Sequence, residues 1–109
     1  MKNIVVTLCL VISGWTYAHD TILRTQNAYM ICTTPDTDWV NFCNGLMQGY
    51  ADYAVISGKA CIPSGVTRTE LATLFTSKLV KNTEAYKKDK PAVEEVSEIF
   101  SLAYPCKIR

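Results

Sequence analysis

Asp38-Trp39-Val40-Asn41-Phe42-Cys43-Asn44-Gly45-Leu46-Met47-Gln48-Gly49-Tyr50-Ala51-Asp52-Tyr53-Ala54-Val55-Ile56-Ser57 is the stretch that decides the fold. Trp39, Phe42, Cys43, Leu46, Met47, Tyr50, Tyr53 and Ala54 recur at steps of three and four, the spacing of a helix that buries one face. Asp36, Thr37 or Asp38 can serve as its N-cap, and Gly58 is suited to the left-handed turn that stops a helix. A helix this long in a chain of 109 residues must be the central one.

Outward from it the same period continues. Thr67-Arg68-Thr69-Glu70 is a capping box, with Val66 and Leu71 placed as a hydrophobic staple; Leu71, Leu74, Phe75 and Leu79 then share a face. A further helix is predicted from Pro91, where a missing N–H costs nothing, with Glu94 and Glu95 in its first turn. Val93, Val96, Ile99, Phe100 and Ala103 form its buried stripe, and Pro105 ends it. A shorter first helix is expected over Thr21 to Ile31. No segment alternates with the period of a strand, so the expected fold is all-α, a small disulfide-stabilised bundle of four to five helices.

The amino terminus reads as a secretory signal peptide, residues 1–18. Lys2 precedes an apolar run from Ile4 to Ile12, and Thr16-Tyr17-Ala18 offers small residues at the cleavage positions. The run falls short of the roughly 20 apolar residues that a bilayer requires, so residues 19–109 are expected to be a single soluble domain, free of the membrane once cleaved. Cys9 is filler within the leader. Four cysteines remain in an oxidising compartment: Cys32, Cys43, Cys61 and Cys106. Cys43 lies near the start of the long helix and Cys61 beyond its end, more than about 20 Å away at 1.5 Å per residue. Bridged Cα atoms stand within about 7 Å, so that pair is excluded. Antiparallel packing brings the end of the last helix back to Cys61, which predicts Cys32–Cys43 and Cys61–Cys106, both structural. Without Lys2 the chain carries ten basic against ten acidic groups, which argues against a nucleic-acid partner.

Catalytic machinery is sparse. His19 is the lone histidine and stands at the expected new terminus; Gly45 and Gly49 lie within a helix, where they permit close packing and do not cradle phosphate. No cofactor and no metal site is indicated, and Glu94, Glu95 and Glu98 read as a solvated helix surface, since Glu94 and Glu98 lie opposite the apolar stripe. The chain is therefore not expected to be an enzyme. Lys81-Asn82-Thr83-Glu84-Ala85-Tyr86-Lys87-Lys88-Asp89-Lys90 admits two readings. One is an ordinary solvated loop or extra helical turn; the other is a binding loop anchored by Tyr86 and steered by its charges. Trp39, Tyr50 and Tyr53 likewise fit either the core or a homodimer face.

Three motifs in fixed order carry a resemblance. Phe42-Cys43-Asn44-Gly45-Leu46-Met47-Gln48-Gly49-Tyr50, Cys61-Ile62-Pro63 with Gly65-Val66-Thr67, and Ala103-Tyr104-Pro105-Cys106 are similar to the signatures of the type VI secretion amidase immunity proteins, the Rap/Tai class. The match spans about Cys32 to Cys106. One departure is Leu46, where members often carry Tyr, a conservative change. The resemblance implies a small helical periplasmic protein, often dimeric, that binds a secreted peptidoglycan amidase effector and occludes its active site. Glu84, Tyr86, Lys87, Lys88 and Lys90 are the effector contacts expected on that reading. A periplasmic acid-stress chaperone is the competing class, and a subunit of a larger envelope assembly is a third.

Overall fold

The structure, a computed structural model, describes residues 22–81 and 90–107. Four helices follow in order: α1 (Thr25–Thr33), α2 (Thr37–Ile56), α3 (Arg68–Lys81) and α4 (Ala92–Ala103). Every helix packs against every other, and among the described residues there is no strand beyond one isolated bridge, Arg24 to Pro91. The fold is all-α.

Local chemistry accounts for the boundaries. The capping box forms: the Thr67 N–H donates to Glu70 Oε1 at 2.8 Å and the Glu70 N–H donates to Thr67 Oγ1 at 3.1 Å. At the far end of α2, Gly58 adopts φ +80°, which a Cβ would oppose. The Gly58 N–H then reaches Val55 O and the Lys59 N–H reaches Ala54 O, closing the orphan carbonyls of the last turn. Asp36 occupies the N-cap position of α2 with extended backbone, though its side chain makes no capping bond. The α4 stop falls at Tyr104, one residue before Pro105.

The first helix begins later and ends later than expected, at Thr25 and Thr33 instead of Thr21 and Ile31. Leu23 and Arg24 are spent on pairing with the lead into α4: the Ala92 N–H donates to Leu23 O at 2.7 Å, and the Thr25 N–H and hydroxyl both donate to Lys90 O at 2.8 Å. Its end is set by Pro35, which holds the preceding Thr34 extended.

The core runs through Ala28, Cys43, Met47, Ala51, Ala54, Leu71, Phe75, Leu79, Ala92, Val96, Ile99 and Phe100. Two parts of the expected pattern differ. On α2 the buried line is Cys43, Met47, Ala51 and Ala54, while Trp39, Phe42 and Tyr53 are nearly half exposed. The bulky residues lie on the flanks because small ones on the inner line let α2 approach its neighbours. On α4, Ala103 is exposed and Val93 only half-buried, whereas Ala92, Glu95 and Ser97 are buried. Gly45 and Gly49 do not serve close packing: both are exposed, with nothing within 4 Å of where a Cβ would stand.

Cys32–Cys43 and Cys61–Cys106 are bonded, each with Cα atoms 5.0 Å apart. The first staples α1 to the start of α2. The second ties the segment after α2 to the chain's end, where the Cys61 N–H also donates to Tyr104 O at 2.9 Å. In loop-entropy terms these closures contribute about 3 and 4 kcal/mol, comparable to the net stability of a domain this small.

Candidate partner-binding surface

Of the expected contact residues, Glu84, Tyr86, Lys87 and Lys88 lie outside the described residues, as does His19. The described residues stop at Lys81, the last of α3, and resume at Lys90. That end is firmly held. The Lys90 carbonyl accepts two bonds from Thr25, and its ammonium lies 3.1 Å from Glu95 Oε1 and 3.6 Å from Glu98 Oε1. The hydrogen bond to Glu95, reinforced by both carboxylates against a smaller burial effect, raises the Lys90 pKa. Glu95 is therefore no part of a solvated surface: it is buried beneath Lys90, while Glu94 and Glu98 face solvent.

Two concavities flank these elements. One is apolar, about 370 Å³, and lies where α1 meets α2; Leu23, Met30, Ile31, Trp39 and Phe42 line it, the last two with ring centroids 5.9 Å apart. The other is polar, about 450 Å³, and lies between the end of α2 and α4, beside Lys90. Tyr53 and Lys59 face Glu94, Ser97, Glu98 and Ser101 across it. Sequence reading passed over this cleft because its walls are separated by some forty positions; only Glu94 and Glu98, four apart on one helix face, were noted beforehand. Of the aromatic trio considered for a dimer face, Trp39 and Tyr53 are exposed, whereas Tyr50 is half-buried and burial raises its pKa.

Among the described residues no three metal-ligating side chains converge, and no helix is long and apolar enough to cross a membrane. What the described residues present is a stapled helical scaffold with exposed aromatic and charged surface. The chain belongs to the Rap1a immunity proteins, whose family model matches residues 23–106. That family gives it an immunity role against a secreted effector and a generally non-catalytic character. No curated protein and no solved structure matches the chain significantly.

Proposed function

We propose that this protein is a periplasmic immunity protein that binds a type VI secretion peptidoglycan amidase and blocks its active site, protecting the producing cell and its siblings. The observation that carries the reading is the family match over residues 23–106, all four helices included. The leader at residues 1–18 and the two disulfides fit export to an oxidising compartment. On this reading the span 82–89, which lies in sequence between α3 and Lys90, is the segment that enters the enzyme's groove, with Tyr86 as its anchor. Because the staples hold the scaffold in one conformation, little ordering entropy opposes binding. Part of the exposed aromatic surface of α2 is available to a second copy.

An acid-switched chaperone requires many paired carboxylates whose protonation loosens the fold. The described ion pairs both centre on Lys90, with Glu95 and Glu98. The inhibitor reading is the better supported.

The test is a titration of purified residues 19–109 into candidate type VI secretion peptidoglycan amidases, with peptidoglycan hydrolysis as the readout. Activity is expected to fall to zero at a fixed stoichiometry. Absence of binding, joined to suppression of client aggregation only in acid, would replace this reading by the chaperone. Tyr86→Ala combined with Lys87→Glu and Lys88→Glu is expected to weaken the complex; an unchanged affinity would refute insertion of the loop while leaving inhibition intact.

A further inference from the structure

Helix α2 carries two apolar lines. The inner one, Cys43, Met47, Ala51 and Ala54, is buried in the core. The outer one, Trp39, Phe42, Leu46, Gly49, Tyr53 and Ile56, advances by alternate steps of three and four along nearly the whole helix, the heptad spacing with which paired helices keep a common seam. Folding leaves it largely uncovered: Ile56 is 86% exposed, Trp39, Phe42 and Tyr53 are 44%, 48% and 44% exposed, and Leu46 is half-buried. At its amino end the line runs into the apolar concavity shared with Met30 and Ile31 of α1. A continuous apolar surface of this kind marks a site of association.

We propose that this line is the seam of a homodimer in which α2 pairs antiparallel with α2 of a second copy. Twofold symmetry about the middle of the seam sets Trp39 against the partner's Ile56, Phe42 against the partner's Tyr53, and Leu46 against the partner's Gly49. Leu46, the one large residue near the centre, thereby enters the space over a glycine, where nothing lies within 4 Å of a Cβ position. Charge fixes the direction. Asp36 and Asp38 stand at the amino end of α2 and make no ion pair among the described residues, while Lys59 follows its carboxyl end, its ammonium 5.3 Å from the centre of the Tyr53 ring and so beside the seam. Antiparallel pairing brings the aspartates of each copy to the lysine of the other, at both ends, and opposes the two helix dipoles; parallel pairing would set four aspartates together. The seam is about 25 Å long at 1.5 Å per residue, so the interface is a small one and the dimer one of micromolar affinity or weaker. In dilute solution the chain is then a monomer with its glycines open. The proposal deepens the reading above that α2 offers a surface to a second copy, and it does not depend on the effector's identity.

Sedimentation velocity of residues 19–109, with no amidase present, decides it. A monomer–dimer equilibrium is expected between about 1 µM and about 1 mM protein. Gly49→Glu meets nothing within a single copy and removes a glycine from a helix interior, so the fold should survive, which thermal unfolding in dilute solution checks. Facing the partner's Leu46, it is expected to weaken the dimer at least about tenfold. Charge exchange reads the direction: Asp36→Lys/Asp38→Lys and Lys59→Asp should each lose the dimer, and an equimolar mixture of the two should regain it as a heterodimer, both ends being complementary again. Parallel helices would lose the dimer in neither variant, so retention in both overturns the antiparallel seam. A protein that stays monomeric at every concentration, or a dimer indifferent to Gly49→Glu, overturns the proposal. If the unaltered protein is monomeric and Gly49→Glu instead weakens its complex with an amidase, the seam is the effector's and self-pairing is refuted. Failure to inhibit any amidase refutes the amidase reading alone, because sedimentation needs no enzyme.

Discussion

Gly45 and Gly49 stand exposed in the middle of α2, where a methyl group would meet nothing within 4 Å. Glycine in a helix interior costs about 1 kcal/mol relative to alanine, so nothing in the isolated fold justifies either. Gly45→Ala and Gly49→Ala are each expected to raise stability by about 0.5–1 kcal/mol in urea unfolding; a loss would mean that the open face is covered in the native protein. Gly58→Ala, forced to φ +80°, should move the other way by about 1 kcal/mol. Lys90 and Tyr50 make a pH prediction. The folded Lys90 has a raised pKa, so its stabilising contribution is complete below the ordinary lysine value of 10.5 and disappears as pH rises through the folded value. Burial raises the Tyr50 pKa from 10.0, and because the unfolded phenol then ionises first, the folded state again loses ground as pH rises. The urea midpoint should therefore fall above about pH 10. Lys90→Met and Tyr50→Phe together should flatten that fall, and an unaltered slope would contradict the assignment.

At the level of the element, the start of α3 was the most legible boundary, because its capping box is written in four consecutive residues and needs no tertiary contact. Thr67→Ala is expected to cost about 1 kcal/mol, measured by thermal unfolding, and Thr67→Ser almost nothing. The end of α2 was legible for a similar reason, since one glycine carries the turn. The inner line of α2 was not. Trp39, Phe42, Leu46, Met47, Tyr50 and Tyr53 supply apolar spacing on more than one side, so periodicity gives too wide a stripe, and hydrophobicity draws attention to the large side chains. Burial instead follows Ala51 and Ala54, whose smallness permits close approach. The start of α1 escaped notice because Leu23 and Arg24 pair with Lys90 to Ala92, contacts across more than sixty positions that no local pattern encodes. For the same reason the polar cleft became visible only once α2 and α4 were placed side by side.

For the molecule as a whole, the two staples carry unequal weight. Cys61–Cys106 closes a sequence separation of 45 residues and Cys32–Cys43 one of 11. Paired alanine substitutions are expected to cost about 4 kcal/mol for the first and about 3 for the second, read from denaturant midpoints of the oxidised single-bridge proteins. A reversed order would show that native packing, not the restriction of the unfolded chain, governs their contribution. The pairing itself was legible because α2 is long: a straight helix of that length keeps Cys43 and Cys61 apart whatever else the chain does.

Connectivity has a biosynthetic consequence. Each bridge joins cysteines that are nearest neighbours in order of emergence, Cys32 with Cys43 and then Cys61 with Cys106. On the proposed export to an oxidising compartment, a chain threading amino end first past a thiol oxidase, which couples cysteines as they appear, arrives at the native set with no bond to undo. Yield of the oxidised protein should accordingly depend on the oxidase and be indifferent to loss of the disulfide isomerase. A cell that must have its protectant in place before the toxin arrives gains from a maturation route with no proofreading step.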